Sequence, residues 1–411
     1  MMVATISTIA LSMKRLVTFI APVLLLLGSC SRTEQDIPSW DEALRQGGLA
    51  AAETSLAAQE QTAETAFLLG GIQFLRAVET ILQVRYANYS GALPIIPGMR
   101  NRLPINPDAT FDPKFFETAM TGALKHLGQA ERALETATEG EFAVKVQLND
   151  LWFDIDADGT RDEWEGLIDL MAQLNARHGM SDFDGVIRFD TADAEWLTAY
   201  VHLVSGMAEL TLSFDPTPAI RRVSEGRAAL ERAGAIETPR LIGDDTLPET
   251  IAAILLAVRG VPDRDRTRAA HAHFKAMIAH QRNFWDKVER ETDNDHEWLP
   301  NAKQTAAFGV AVDAGTVKAW KDVLTGIEAI LDGERLIPYW RVSRRPDADV
   351  PIGINIRKLM QNPGDMDLVL WLQGTAAAPF LEQGPLADIA AWRQFQRMTA
   401  GDALLFALWF N

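Results

Sequence analysis

Cysteine is nearly absent from the chain, since Cys30 is the only one in 411 residues. A single cysteine excludes an intrachain disulfide. The common catalytic signatures are missing too: there is no Gly-x-Ser-x-Gly nucleophile turn and no His-Glu-x-x-His zinc motif. A Walker loop and a dinucleotide-binding glycine fingerprint are equally absent. These absences disfavour an enzyme, although two carboxylates that the fold brings together would still suffice for a hydrolase.

Positive charge is also scarce, with 39 Lys and Arg against 56 Asp and Glu and a net charge of -17. A chain this acidic does not bind nucleic acid or anionic lipid head groups by general electrostatics. Attachment to a membrane would therefore have to come from an apolar segment or from acyl chains.

One short apolar run lies near the N-terminus, where residues 16–27 follow the basic pair Lys14-Arg15. A transmembrane helix needs about 20 apolar residues, so the run is too short and predicts a signal peptide over residues 1–29. The following Leu27-Gly28-Ser29-Cys30 resembles the lipobox of bacterial lipoproteins. That resemblance implies that Cys30 is lipidated and begins the mature chain. It also implies a lipid anchor in the bacterial cell envelope, on the periplasmic or outer-membrane face, with Ser31 favouring the outer membrane.

The mature chain is expected to contain a tether over residues 30–47 and one mainly helical globular domain over residues 48–411, with a possible sub-boundary near residue 240. Apolar residues at three- and four-residue intervals predict a mainly α fold built from antiparallel helix pairs. Gly70 and Gly71, inside the first clear helix, predict close approach of another helix. The predicted helices cover residues 63–84, 111–138, 167–176, 194–212, 219–233, 247–291 with a break at 260–262, 317–331 and 403–410.

The sequence also predicts a repeated helix pair and a small β ribbon. The helices at 63–84 and 194–212 are each followed by a break and an Ala-rich helix, which predicts a duplicated helix pair. Residues 142–148 and 186–189 instead alternate apolar and polar side chains, which predicts a small β ribbon.

The most specific pattern in the chain lies between the two predicted strands, at residues 154–165. Gly159 stands at position 6 of this twelve-residue segment, where it permits a sharp turn, and Thr160 at position 7 offers a backbone carbonyl. Oxygen-rich loops of this spacing bind Ca²⁺, which takes six to eight oxygen ligands. The carboxylates occupy positions 1, 3, 5, 9 and 12 and belong to Asp154, Asp156, Asp158, Asp162 and Glu165.

This segment resembles the calcium loops of EF-hand and dockerin modules over these twelve residues. Arg161 stands at position 8, which is aliphatic in loops that pair through a short strand, so a solitary loop is expected. Asp162, Glu163 and Glu165 are expected in the first turn of the following helix, where acidic groups suit the helix dipole. The alternative is an Asp-Gly turn and an acidic helix start without metal.

Three further groups are candidates for sites. The acidic loop at residues 293–297 predicts a second cation site or a solvated helix end. One predicted helix contains His271, His273 and His280. These residues are either zinc ligands or ordinary core and surface histidines. Eight tryptophans predict either an aromatic core or a ligand cleft, namely Trp152, Trp164, Trp285, Trp298, Trp340, Trp371, Trp392 and Trp409.

Taken together, the sequence predicts an acidic, mainly α-helical lipoprotein of the cell envelope with one structural Ca²⁺ site. Its expected role is binding or scaffolding towards an unidentified envelope ligand or protein. The alternative is a calcium-dependent hydrolase of polysaccharide or peptidoglycan that uses the acids near 293–297.

Overall fold

The computed structural model describes residues 38–88, 104–174, 183–234, 247–342, 351–399 and 403–411. The prediction of a mainly α fold is confirmed. Residues from Trp40 onward form one compact unit. Its helices are α1 (Trp40–Ala57), α2 (Ala63–Asn88), α3 (Phe115–Glu139), α4 (Leu167–Leu174), α5 (Thr191–Leu212), α6 (Thr217–Arg232), α7 (Leu247–Ala257), α8 (Arg264–Val288), α9 (Ala314–Leu331), α10 (Ile356–Gln361), α11 (Leu368–Gln373), α12 (Ala390–Met398) and α13 (Ala403–Phe410).

The strands form two small antiparallel sheets. Strands β1 (Ala143–Gln147) and β2 (Val186–Asp190) pair in the register Val144 with Phe189 and Val146 with Ile187, which confirms the predicted ribbon. Strands β3 (Ile337–Pro338), β4 (Ile352–Ile354) and β5 (Leu381–Gln383) form the second sheet in that order. The first ribbon matters most for function, because the predicted calcium loop lies in the connection between its strands.

Helices α2 and α3 form a closely packed antiparallel pair. Small and aliphatic residues recur along α3 at three- and four-residue steps and are buried against α2, among them Leu127 and Leu134. A Cβ atom added to Gly70 would lie 2.6 Å from Cγ of Leu134, so the contact requires a residue without a side chain. The predicted close approach at Gly70 is confirmed.

Helix α5 pairs with α8, and here too a glycine permits the close approach of the two helices. A Cβ atom on Gly206 would lie 2.7 Å from Cε1 of Phe274. Helix α6 packs instead against α7. The predicted duplication of a helix pair is therefore wrong, because the partner of α5 comes from α8 rather than from the Ala-rich helix that directly follows it.

The largest core cluster lies among α5, α8, α9, α12 and α13. Trp285 and Phe410 are fully buried there, and their ring centroids are 5.2 Å apart. Trp298 packs against the edge of the same cluster, whereas Trp340 is exposed. Most of the tryptophans considered above thus take part in aromatic packing, as expected for residues with large apolar surfaces.

Several predicted boundaries move in the structure. Helix α1 begins at Trp40 and buries Leu44 in the core, so the globular unit starts before the expected position 48. Helix α5 begins at Thr191 and not at the predicted residue 194, since Asp190 caps it and Asp193 completes a capping box. Residues 235–246, which include the possible sub-boundary near 240, lie outside the described residues.

Helix α2 is long and apolar enough to cross a membrane by length and composition. Core helices of globular proteins meet the same criterion. Half of its most apolar window is buried inside the protein, and α2 packs against α1 and α3.

Candidate functional site: an acidic loop closed at its base

The predicted calcium loop leaves and rejoins the body of the protein at a backbone bridge. Trp152 and Gly166 pair as an isolated antiparallel bridge. The amide of Phe153 donates to the carbonyl of Glu165 at 3.0 Å, and the amide of Leu167 donates to the carbonyl of Leu151 at 2.9 Å. These bonds close the base of the loop.

The expectation that three of the acidic residues lie in the first turn of the following helix is wrong. Helix α4 begins at Leu167, so Asp162, Glu163 and Glu165 precede the helix and do not form its first turn. Gly166 pairs with Trp152 and its carbonyl accepts from the Leu170 amide at 3.0 Å, so the helix starts directly after the bridge. The acids are consequently placed by the loop itself and not by a helix dipole.

Inside the loop, the backbone turns sharply at two residues. Gly159 has φ of 79° and Ala157 has φ of 61°. The glycine adopts this left-handed conformation readily, whereas alanine does so at a cost and needs surrounding contacts to hold it. Side-chain oxygens supply such contacts: Asp154 Oδ1 accepts from the Gly159 amide at 3.2 Å, and Asp156 Oδ1 accepts from the Asp158 amide at 3.2 Å.

The turn brings three predicted ligands together. One carboxylate oxygen from each of Asp154, Asp156 and Asp158 lies within 4.8 Å of the other two. Desolvation raises the pKa of Asp156, and its negative neighbours Asp158 and Asp154 add to the rise. The hydroxyl of Thr160 donates to Asp158 Oδ1 at 2.6 Å and lowers the pKa of that carboxyl group. The cluster is thus a set of hard oxygen donors with unfavourable mutual repulsion.

Glu165 closes the loop from the inside. Its side chain is 0% exposed, and burial raises the pKa of its carboxyl group. Oε1 accepts from the Ile155 amide at 2.6 Å, and Oε2 accepts from the Asp162 amide at 2.9 Å. Both oxygens therefore already have fixed positions, although Glu165 does not belong to the close group of three aspartates.

Helix α2 supports the loop from behind. Glu79, which is buried and paired with Arg76, accepts from the Asp154 amide at 2.9 Å. Gln83 donates to the Asp154 carbonyl at 2.7 Å. These contacts fix the position of the first predicted ligand relative to the core. They involve residues 71 and 75 positions away in sequence, which no local pattern could predict.

The remaining predicted ligands lie on the open side of the loop. Thr160 and Asp162 are both exposed. The donor set as a whole consists of oxygens only, which is the preference of Ca²⁺ and Mg²⁺, and Ca²⁺ accepts the more irregular geometry. The predicted lipid attachment point, Cys30, lies outside the described residues.

The acidic segment at 293–297 is held by ion pairs. Asp293 lies 2.9 Å from Nη1 of Arg188, and Asp295 lies 3.0 Å from Nζ of Lys145. Glu297 is buried, and it accepts from the Asp295 amide at 2.8 Å. These contacts attach the segment to the β1–β2 ribbon. In the ranges that the structure describes, none of these acids belongs to a group with metal-binding spacing.

The three histidines on α8 have different surroundings. His271 Nε2 contacts the carbonyl of Leu331 at 2.8 Å. His273 and His280 both approach His202 on α5, with ring centroids 5.2 Å and 5.5 Å from the His202 ring. No sequence pattern singled out His202 or its neighbour Glu131. The signal available was the position of His202 inside a short apolar stretch of α5, between Val201 and Leu203.

No family model, no curated protein and no solved structure matches this chain.

Proposed function

We propose that this protein is a lipid-anchored cell-envelope protein in which Ca²⁺ stabilises the loop at residues 154–165, and that its role is binding or scaffolding. The observation that carries the calcium part is the convergence of the Asp154, Asp156 and Asp158 carboxylates around a turn at Gly159. The anchor is supported by the lipobox-like sequence that ends at Cys30.

Ca²⁺ would stabilise the folded chain and would not take part in catalysis. The ion would neutralise the repulsion among the three aspartates and compensate the buried charge of Glu165. Asp154, Asp156, Asp158 and Glu165 would bind through carboxylates, Thr160 through its carbonyl and Asp162 directly or through water. An ion that binds only the folded chain stabilises it by about 2.7 kcal/mol at a concentration 100 times its dissociation constant.

The test is a thermal melt of the purified chain in excess Ca²⁺ and in chelator. We expect Ca²⁺ to raise the midpoint of the wild type and to leave the Asp156→Ala/Asp158→Ala variant unchanged. Glu163→Gln is the matched control, because Glu163 carries an exposed charge at loop position 10, outside the ligand set. Identical melts of the wild type in both conditions, together with no bound metal, would refute the calcium site.

The alternative function is a calcium-dependent hydrolase of envelope polysaccharide or peptidoglycan. Its support is the raised pKa, about 8, of Glu291, whose carboxyl group is desolvated beside Asp190, Glu297 and Asp293. A carboxyl group that stays protonated near neutral pH suits a general acid. The ion pairs of Asp293 with Arg188 and of Asp295 with Lys145 make this the weaker proposal, because they engage acids that catalysis would need free.

A further inference from the structure

A second group of metal-binding side chains lies in the helical body, apart from the acidic loop. Glu131 on α3, His202 on α5 and His273 on α8 each offer one ligand atom within 4.8 Å of the other two. Three helices that are distant in sequence supply them. The Gly206–Phe274 contact places the two histidines opposite each other, because Phe274 follows His273 and Gly206 lies one helical turn after His202.

The two histidines are joined by a hydrogen bond between ring nitrogens. His202 Nδ1 lies 2.9 Å from His273 Nδ1. A neutral imidazole has one donor and one acceptor nitrogen, so one of these two atoms must present a lone pair to the other. His202 Nε2 lies 3.9 Å from Glu131 Oε1. His202 thus faces His273 through Nδ1 and Glu131 through Nε2, and each of the three residues offers a ligand atom within 4.8 Å of the other two.

We propose that Glu131, His202 and His273 bind a divalent transition-metal cation of the zinc class. Two histidines and a carboxylate are donors typical of Zn²⁺ sites, whereas Ca²⁺ and Mg²⁺ prefer oxygen alone. Donor atoms around a tetrahedral zinc lie about 3.3 Å apart, given zinc–nitrogen distances of about 2.0–2.1 Å. To bind such an ion, the two histidine nitrogens, now 2.9 Å apart, would have to separate slightly and the Glu131 carboxylate would have to approach them by side-chain rotation.

The surrounding residues hold the His202 ring in place and leave the group accessible to a cation from solvent. The side chain of His202 is only 7% exposed, whereas that of Glu131 is 34% exposed, which leaves a path from solvent on the α3 side. His280 stacks against the His202 ring and is itself held by Glu195, whose Oε2 lies 2.7 Å from His280 Nδ1. Lys287 pairs with the other oxygen of Glu195 at 2.9 Å. This arrangement limits the movement of the His202 ring.

Three protein ligands leave one coordination position for water, as in zinc sites that bind an exchangeable ligand. The site is independent of the acidic loop, because it uses different residues, different donor atoms and a different class of cation. Loss of one site therefore does not imply loss of the other.

The test is zinc binding by the purified chain, prepared without a histidine tag and with Cys30→Ser to remove its one thiol. Excess Ca²⁺ is present throughout to saturate oxygen-only sites. We expect one Zn²⁺ per chain by elemental analysis after dialysis, and Co²⁺ should give the visible absorption of a tetrahedral nitrogen and oxygen site. His202→Gln and His273→Gln should each weaken binding by about 100-fold or more.

His271→Gln is the matched control, because His271 lies on the same helix and contacts the carbonyl of Leu331 instead. It should bind Zn²⁺ as the wild type does, and so should Asp156→Ala/Asp158→Ala. Glu131→Gln tests the site at a more exposed position if a buried histidine variant fails to fold by circular dichroism. No stoichiometric Zn²⁺ in the wild type, or equal affinity in folded variants of the three ligands, would overturn the proposal.

Discussion

At the scale of single residues, the buried acids outside the loop are the clearest source of pH dependence. Glu291 is desolvated next to Asp190, Glu297 and Asp293, which raises its pKa to about 8. A carboxyl group with a raised pKa in the folded state favours the folded state when it is protonated. Its contribution to stability is complete below the ordinary value of 4.5 and is lost as the pH rises through about 8.

We therefore expect the wild-type midpoint of thermal unfolding to fall between pH 5 and pH 8 more steeply than that of Glu291→Gln. Glutamine keeps the oxygen that accepts from Gln304 Nε2 at 3.3 Å but has no proton to lose. The measurement is a series of melts in chelator across this range, with Glu289→Gln as a control on the same segment. Parallel curves for the wild type and Glu291→Gln would show that Glu291 does not hold a proton in the folded state.

At the scale of elements, the α2–α3 pair depends on one missing side chain. Gly70→Ala would force a methyl group to within 2.6 Å of Leu134 Cγ, and overpacking of this kind costs about 1–3 kcal/mol. Gly71→Ala meets only Leu197 Cδ2 at 3.9 Å, so it should gain up to about 1 kcal/mol from helix propensity. Chemical denaturation measures the free energy of unfolding of both variants, which should fall for Gly70→Ala and rise for Gly71→Ala. A loss of equal size in both would mean that the α2 backbone, and not the Leu134 contact, sets the cost.

Local elements could be predicted from the sequence because their causes are local. The alternation at residues 142–148 and 186–189 predicted the ribbon, and the apolar spacing predicted α2 and α5 to within a few residues. The start of α4 could not be predicted in this way. It depends on the bridge between Trp152 and Gly166, which forms only when the loop folds back.

The two candidate metal sites also differ in whether their residues are close together in sequence. The ligand spacing at 154–165 is local, and the structure brings Asp154, Asp156 and Asp158 together. The contact between His202 and His273 joins residues 71 positions apart, and the pairing of α5 with α8 decides it. Helix periodicity identifies which face is buried, but it does not identify the helix that covers that face.

At the scale of the whole molecule, the C-terminal helix completes the largest core. The Phe410 ring lies 5.2 Å from Trp285 and 5.9 Å from Phe395, and the Trp196 indole donates to the carbonyl of Trp409 at 3.0 Å. Phe410 is fully buried, whereas Leu408 on the same helix is 49% exposed.

Phe410→Ala should consequently destabilise the protein by about 3–5 kcal/mol, since it removes a fully buried aromatic ring. Leu408→Ala, on the exposed side of the same helix, should change stability by about 0.5 kcal/mol or less. Equilibrium unfolding in urea measures both free energies. Similar losses for the two variants would mean that the helix as a whole, and not the Phe410 ring, provides the contact.

The backbone bridge at the base of the acidic loop has a consequence for the entropy of ion binding. In a free peptide, an ion must bring the two ends of the chain together, and the cost of that closure grows with the logarithm of loop length. Here the hydrogen bonds between Phe153 and Glu165 and between Leu167 and Leu151 have already closed the ring. A bound cation would have to order only the interior of the loop. Its affinity would therefore depend on how far Asp154, Asp156 and Asp158 must move from the positions they already occupy.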